Sequence, residues 1–329
     1  MKKVAVTGAS GHIGANLVRE LLGRGYEVVV LIRQTSDALE GLNVTRVYGD
    51  LADRQSLCKA FNGVEQVYHL AALISIQTGE NDQLELVNIE GTKNVLEACQ
   101  SEGVSTLIYF STIHALNLKP FDQPVTEDNP LIGELTGHGG DYDYSKAHAE
   151  RLVRKNSCDR LSTRIIYPTA VLGPNDFNHS LFGQAILKMA NGRLPALVSG
   201  GFDWVDARDV AWGAVEAAER GADGGRFILS GHYLSMSEVA TVIAELTGIA
   251  APGLTCPAWF AGLFAPLMSG WARLTGEAPL YTRYSLATLS TNKVISHAKA
   301  TRDLSYHARS FRDSMDDALR FYSSNNILI

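Results

Sequence analysis

Cysteine is scarce in this chain, and what there is does not cluster. Cys58, Cys99, Cys158 and Cys256 lie far apart with no C-x-x-C pair. That spacing excludes a thiolate zinc site and a disulfide framework, and it fits a reducing cytoplasm. Positive charge is thin too: the net charge is −6 and no long run of Lys and Arg occurs. Phosphate backbones are bound by clustered cations, so a nucleic-acid partner is not expected. The 9 histidines show no metal-ligand spacing, and no metal is expected. Internal repeats and low-complexity tracts are missing. No targeting segment is visible: the apolar run Val4–Val6 is too short and leads straight into a glycine motif. One later stretch, Leu254–Ala272, is free of charge and approaches the length of a membrane span. Pro257, Gly262, Pro266 and Gly270 interrupt it, and such residues weaken a continuous helix. An apolar helix pair that serves a substrate is expected there, rather than a membrane contact.

What is present reads as an alternation of strands and helices. Lys3–Thr7, Glu27–Ile32, Thr45–Tyr48, Gln66–Leu70, Thr106–Ser111 and Thr163–Tyr167 are predicted strands. The second is a consecutive Val, Leu and Ile run, as for a strand buried on both faces. Helical spacing marks Ile13–Arg24, Gln55–Phe61, Leu84–Ser101 and Tyr142–Asn156 between them. This order implies an α/β fold: a doubly wound parallel sheet of the Rossmann type, with right-handed crossovers. After Gly173 the alternation breaks down. Phe177–Asn191, Val205–Arg220, 235–248 and 313–323 read as helices, and Gly225–Leu229 as a short strand. With 329 residues, one large unit plus a smaller part is expected. Residues 1–172 form the dinucleotide domain, with return segments at about 204–230. Residues 173–203 and 231–329 form a smaller α+β substrate domain. The Gly- and Pro-rich span 120–140 reads as a long binding loop.

The run Thr7-Gly8-Ala-Ser10-Gly11-His12-Ile13-Gly14 closes the first strand and opens a helix. Gly8 permits the tight turn, Gly11 lets backbone approach a pyrophosphate, and Gly14 lets helix and strand pack closely. Open N–H groups and the helix dipole then favour the anion. The second strand ends in Ile32-Arg33, with no acid to hold the ribose hydroxyls of NAD. Arg33 suits a 2′-phosphate, so NADP(H) is favoured. Asp37 lies just downstream and keeps NAD(H) possible. Asp50-Leu51 follows the third strand, where an aspartate can accept from an adenine amino group.

Tyr142 and Lys146 stand four residues apart on one helix face, at the carboxyl edge of the sheet. A free tyrosine titrates near 10. A nearby ammonium is expected to lower that, and about three units correspond to ~4 kcal/mol. Tyr142 then exchanges a proton with a carbonyl or alcohol oxygen while hydride moves. A hydroxyl donor completes such a site. Thr112 is favoured for this role, with Ser111 as its competitor. His114 is expected to line the pocket, and His138 to be solvated. Asp206-Ala-Arg208-Asp209 is weighed evenly between a structural ion pair and a border of the substrate part.

Taken together, these motifs resemble the extended short-chain dehydrogenase/reductase superfamily, the NAD-dependent epimerase/dehydratase family. To them add His69-Leu70-Ala71-Ala72, Asn88-Ile-Glu-Gly91-Thr92 and Pro168-Thr-Ala-Val171-Leu-Gly173-Pro174, all in the family's order. The likeness is close over about 3–212 and looser beyond, to Asp303-Leu-Ser-Tyr306. The resemblance implies that Leu70, Ala71 and Ala72 line the adenosine and pyrophosphate. It implies that Pro168 and Val171 approach the nicotinamide, and that Lys146 also holds the nicotinamide ribose. Thr112 departs from the usual serine but keeps the hydroxyl. A homodimer through the helices near 84–101 and 142–156 is the arrangement that the resemblance implies. Tyr167-Pro168-Thr with Arg33 resembles the dihydroflavonol-reductase and 3β-hydroxysteroid-dehydrogenase branch. The resulting expectation is an NADP-linked reductase of an apolar aldehyde or ketone, reversible as an alcohol dehydrogenase. A nucleotide-sugar epimerase or dehydratase with tightly held cofactor is the alternative, and a non-catalytic NADP-sensing scaffold is the third.

Overall fold

The computed structural model describes residues 2–75, 81–133, 140–261, 283–289 and 293–328. Its centre is a seven-stranded sheet. The strands are β1 (Lys3–Thr7), β2 (Glu27–Ile32), β3 (Thr45–Tyr48), β4 (Gln66–His69), β5 (Thr106–Phe110) and β6 (Ser162–Pro168). A seventh, Gly225–Leu229, returns late in the chain and pairs parallel to β6. All neighbours are parallel, and the order reverses at β1, with β4 on one side and β2 on the other. Ligands of open α/β sheets bind in the crevice at that reversal, outside the carboxyl ends of the strands.

The strand period of two explains how this sheet is covered on both faces. Val4, Val6, Val28 and Val30 face one core with Leu17 and Leu21 of α1 (His12–Gly23). Val210, Ala214 and Val215, from a late helix Ala207–Arg220, complete that face. Ala5, Val29 and Leu31 face the opposite core, with Leu57 of α2 (Arg54–Phe61) and Val95 of α3 (Gly91–Ser101). Val153 of α4 (Asp141–Asn156) belongs to the same side. The doubly wound parallel sheet is therefore as expected, and its last strand is Gly225–Leu229.

Beyond the main sheet, Ala170–Leu172, Gly201–Asp206 and His232–Ser235 form a three-stranded sheet. Its core holds Trp204, Met189, Ile243, Met315 and Tyr322, from the strands and the helices Leu181–Ala190, Met236–Thr247 and Phe311–Ser324. Several sequence expectations change here. The helix predicted from Phe177 begins at Leu181, because His179 sits at φ 51, outside helical space. Ser180 then caps it, accepting from Gly183 N at 3.1 Å. Val205 lies in a strand rather than a helix, and Asp206 is the N-cap of the helix that follows. The pattern read as one helix over 84–101 is a turn Asn81–Leu84, a π-turn Glu85–Glu90 and then α3. His138 lies outside the described residues, as does the 262–272 part of the charge-free stretch. Among the described residues no helix is long and apolar enough to cross a membrane.

Candidate active site

The glycine turn is the tightest part of the nucleotide crevice. Gly8 sits at φ +75, and a Cβ there would meet Ala71 N at 2.6 Å. The backbone after β4 therefore presses directly on the turn after β1, and Leu70 N donates to Thr7 O at 3.1 Å. A Cβ on Gly14 would stand 2.1 Å from Gly8 O, so its tight neighbour is the turn itself. At Gly11 a Cβ meets only Gly8 O, at 3.3 Å. Gly11 caps α1 without any side-chain hydrogen bond, and no acid occupies the first turn. The N–H groups of His12, Ile13 and Gly14 thus point out of the helix with no intrahelical acceptor, a cradle that fits a pyrophosphate. The His12 imidazole lies 3.2 Å from the carbonyls of Gly173 and Pro174, which ties this turn to the segment after β6. Asn178 holds Ser10 from the same side through its carbonyl at 2.8 Å.

At the outer end of the crevice, Ser10, Arg33, Thr35, Ser36 and Asp37 border a polar cleft. Arg33 is exposed there, and its guanidinium makes no hydrogen bond or ion pair among the described residues. Asp50 is exposed after β3, and its Oδ1 accepts from Ala52 N at 3.0 Å. Leu51 is buried against Gly91.

His69 ends β4 wholly inside the protein. Its Nδ1 lies 2.7 Å from Thr7 Oγ1, and its Nε2 lies 3.1 Å from Thr92 Oγ1. Thr92 spends its own proton on Asn88 O at 2.6 Å. His69 is therefore the donor at Nε2 and the acceptor at Nδ1, a neutral imidazole. Burial first, and then the Lys146 charge, pull its pKa down to about 3.

Thr112 and Tyr142 come together on the wall of one cavity. Thr112 ends the β5 segment and caps a short turn, its Oγ1 accepting from His114 N at 3.3 Å, which leaves its proton to donate elsewhere. Ser111 is committed differently: its hydroxyl donates to Glu150 Oε2 at 2.6 Å. Glu150 is fully buried and also accepts from Tyr167 at 2.5 Å and Arg154 at 2.6 Å. Of the two hydroxyls weighed from sequence, only Thr112 faces the cavity.

Lys146 is 3% exposed, one helical turn below Tyr142. Its ammonium donates to Phe110 O at 2.6 Å and lies 4.3 Å from the centre of the Tyr109 ring. Desolvation lowers its pKa to about 7 against the pull of Glu150. The Tyr142 phenol behaves opposite to the sequence expectation. Burial pushes its pKa up, and the neighbouring Asp143 carboxylate adds to the rise. Lys146 does not offset this, because its charge is turned to Phe110 O. Tyr142 is thus held as a protonated phenol. Asp143 fixes the helix start, accepting from Gly140 N at 2.9 Å and from the Tyr284 hydroxyl at 2.5 Å.

The cavity measures about 250 Å³. Leu181, Phe182, Met189, Phe202, Leu289 and Ile295 give it an apolar lining, and His114 borders it as expected. Among the described lining residues none is Lys or Arg, and Asp203 is the carboxylate. Pro168 is buried at the end of β6, and Val171 is half-buried in the next strand, opposite Val205. Asp206 and Arg208 form a structural pair at 2.7 Å, with Arg208 also on Asp317.

Sequence reading passed over Glu150, Asp203 and Tyr284 as functional neighbours. Glu150 was open to discovery, since it follows Lys146 by four residues on one helix face. Asp203 and Tyr284 arrive from segments far along the chain, and no local pattern marks them. Asn88 stood within a recognised motif, yet its work appears only in three dimensions. It accepts from Leu73 N at 2.8 Å and donates to Ser145 Oγ at 2.8 Å, linking the π-turn to α4, the helix of Tyr142 and Lys146.

Comparison with known proteins agrees with this geometry. The profile of the NAD dependent epimerase/dehydratase family matches residues 4–230. Sterol demethylase protein B of Methylococcus capsulatus is 35% identical, over 98% of this chain and 99% of its own. A putative dihydroflavonol 4-reductase of Synechocystis is 29% identical, over 97% of this chain and 94% of its own. Among solved structures, gox2253 superposes with a TM-score of 0.83 at 30% identity, covering 100% of both chains.

Proposed function

Because the chain belongs to the NAD dependent epimerase/dehydratase family of extended short-chain dehydrogenases, we propose that it is an NADP(H)-dependent reductase of an apolar aldehyde or ketone, reversible as an alcohol dehydrogenase. Family membership makes it an NAD(P)-dependent oxidoreductase acting on a small molecule. The observation that carries the finer reading is the cavity: an apolar space with Thr112 and Tyr142 in its wall and no cation among its described lining residues. A nucleotide sugar brings a diphosphate, which calls for Arg or Lys at the site. That requirement sets the epimerase alternative behind the reductase. The complete Thr112, Tyr142 and Lys146 set argues against a non-catalytic scaffold.

The residues divide the work as follows. Gly8, Ser10, Gly11, His12, Ile13 and Gly14 form the turn that holds the pyrophosphate, on the open N–H groups of His12, Ile13 and Gly14. Asp50, Leu51, Leu70, Ala71 and Ala72 border the adenosine side. Arg33, with no partner among the described residues, takes the 2′-phosphate. Pro168 and Val171 flank the nicotinamide, which supplies or takes up the hydride when bound. Thr112 donates a hydrogen bond to the carbonyl oxygen, and Tyr142 gives that oxygen its proton. A phenol kept protonated by burial suits the reducing direction. Lys146 holds the nicotinamide ribose and carries a charge that titrates close to neutrality.

The four cysteines are free, which suits a reducing cytoplasm. A homodimer through the helices near 84–101 and 142–156 would cover Leu86, which is 58% exposed. Sedimentation should then give twice the chain mass.

The test mixes the protein with NADPH or NADH and a panel of aromatic aldehydes, apolar ketones and nucleotide sugars. Net loss of reduced cofactor with an apolar carbonyl, faster with NADPH, is the expected result. Interconversion of a nucleotide sugar with no net loss would overturn it in favour of the epimerase.

A further inference from the structure

Asp203 is the charged side chain that the apolar cavity does not account for. It lies on the strand Gly201–Asp206, opposite Tyr233 in the three-stranded sheet, whereas Thr112 follows β5 in the main sheet. The carboxyl is 6% exposed, and it borders the same cavity as Thr112 and Tyr142. One of its oxygens is fully employed. Oδ1 accepts from Thr169 Oγ1 at 2.7 Å and from Gly231 N at 2.8 Å, which fixes the carboxyl's orientation. Oδ2 takes no hydrogen bond among the described residues. Oδ2 is not sealed in, so a molecule in the cavity can reach it. Burial of the carboxyl holds its pKa above the usual range, against its two hydrogen bonds and the nearby His232, which lower it.

We propose that Asp203 is a specificity-determining residue whose Oδ2 binds a second oxygen function, a hydroxyl, on an otherwise apolar carbonyl substrate. The proposal rests on the reductase reading and adds the substrate class to it: a bifunctional apolar molecule, with one oxygen at Thr112 and Tyr142 and the other at Asp203. The ionised carboxyl accepts from the hydroxyl, a charge-assisted bond that the neutral amide of asparagine does not match. Selectivity follows because an analogue that lacks the hydroxyl leaves Oδ2 buried and unpaired. A purely structural carboxyl would be served by its two Oδ1 bonds and would not discriminate.

The experiment uses a matched pair: a saturated steroidal ketone with and without a hydroxyl on the ring farthest from the ketone. Binding to the NADPH-loaded protein is followed by calorimetry, and turnover by loss of NADPH. The wild type is expected to favour the hydroxylated member by about 10-fold or more in both affinity and kcat/KM. Asp203→Ala is expected to abolish the preference, weakening the hydroxylated member and relieving the plain one, with NADPH affinity unchanged. Asp203→Asn keeps an Oδ1 acceptor for Gly231 and Thr169, so it folds where alanine fails, and it should reduce the preference clearly. No preference in the wild type, or a preference that survives Asp203→Ala or is undiminished in Asp203→Asn, would overturn the assignment. Selective binding of the hydroxylated member with no turnover of either would leave Asp203 as the anchor while removing the reductase reading.

Discussion

Replacing Arg33 with alanine isolates the cofactor preference from the rest of the site. The side chain is exposed at the outer end of the crevice, beside Ser10, Thr35 and Ser36. It has no ion pair or hydrogen bond among the described residues, so its removal breaks nothing in the protein itself. A hydrogen bond to a charged group contributes about 1.5–3 kcal/mol. Exposure places Arg33 at the low end of that range, which corresponds to about 10-fold in dissociation constant. Solvent screening further predicts that the effect shrinks as salt is raised, since exposed charges interact less at high ionic strength. Fluorescence titration of NADPH and NADH, at two salt concentrations, reads all three features. NADPH binding should weaken by about 10-fold at low salt while NADH binding hardly moves. The reasoning is refuted if both cofactors weaken equally, or if the wild type prefers NADH and Asp37→Ala removes that preference. In the latter case Asp37, which borders the same cleft, holds the ribose hydroxyls instead.

Other outcomes follow from the same geometry. Glu150→Ala removes the shared acceptor of Ser111, Tyr167 and Arg154 inside the core. It should cost about 3 kcal/mol in urea unfolding, as breaking a buried charged network does. Gly14→Ala puts a methyl 2.1 Å from Gly8 O, so it should lower the melting temperature. Gly11→Ala meets its neighbour at 3.3 Å and should spare folding while weakening cofactor binding. Lys146 titrates at about 7 in the fold and at 10.5 when free. Between those values the unfolded chain binds more protons, so this residue makes stability rise with pH across that window. Lys146→Met should flatten that slope in urea midpoints measured from neutral to alkaline pH.

Local sequence signals made the main sheet legible. A strand buried on both faces must be a run of apolar residues, and Glu27–Ile32 falls where its Val, Leu and Ile place it. The glycine turn was equally readable, because only glycine tolerates φ +75 under the backbone of Ala71. The smaller sheet was not. Ala170–Leu172 and His232–Ser235 are short, and their partner Gly201–Asp206 runs straight into a helix cap at Asp206. Periodicity over so few residues cannot separate strand from helix. Within the proposed site, Tyr142, Lys146 and Thr112 were named because motif and position coincide. The direction of the Tyr142 shift was not, since it depends on where the Lys146 ammonium turns. Sequence spacing gives the shared helix face but not the carbonyl of Phe110 that captures the charge. Asp203 likewise becomes visible only when two sheets close one cavity.

Label transfer tests the central claim most directly. NADPH carrying deuterium at its reactive carbon is incubated with an apolar ketone and either the wild type or Tyr142→Phe. Hydride transfer with Tyr142 as the proton donor predicts deuterium on the carbinol carbon with the wild type. It also predicts a loss of about 100-fold or more in Tyr142→Phe, with NADPH affinity retained. Equal label in both proteins would contradict the assigned role of Tyr142. No label in any carbonyl, alongside epimerisation of a nucleotide sugar, would contradict the reductase itself.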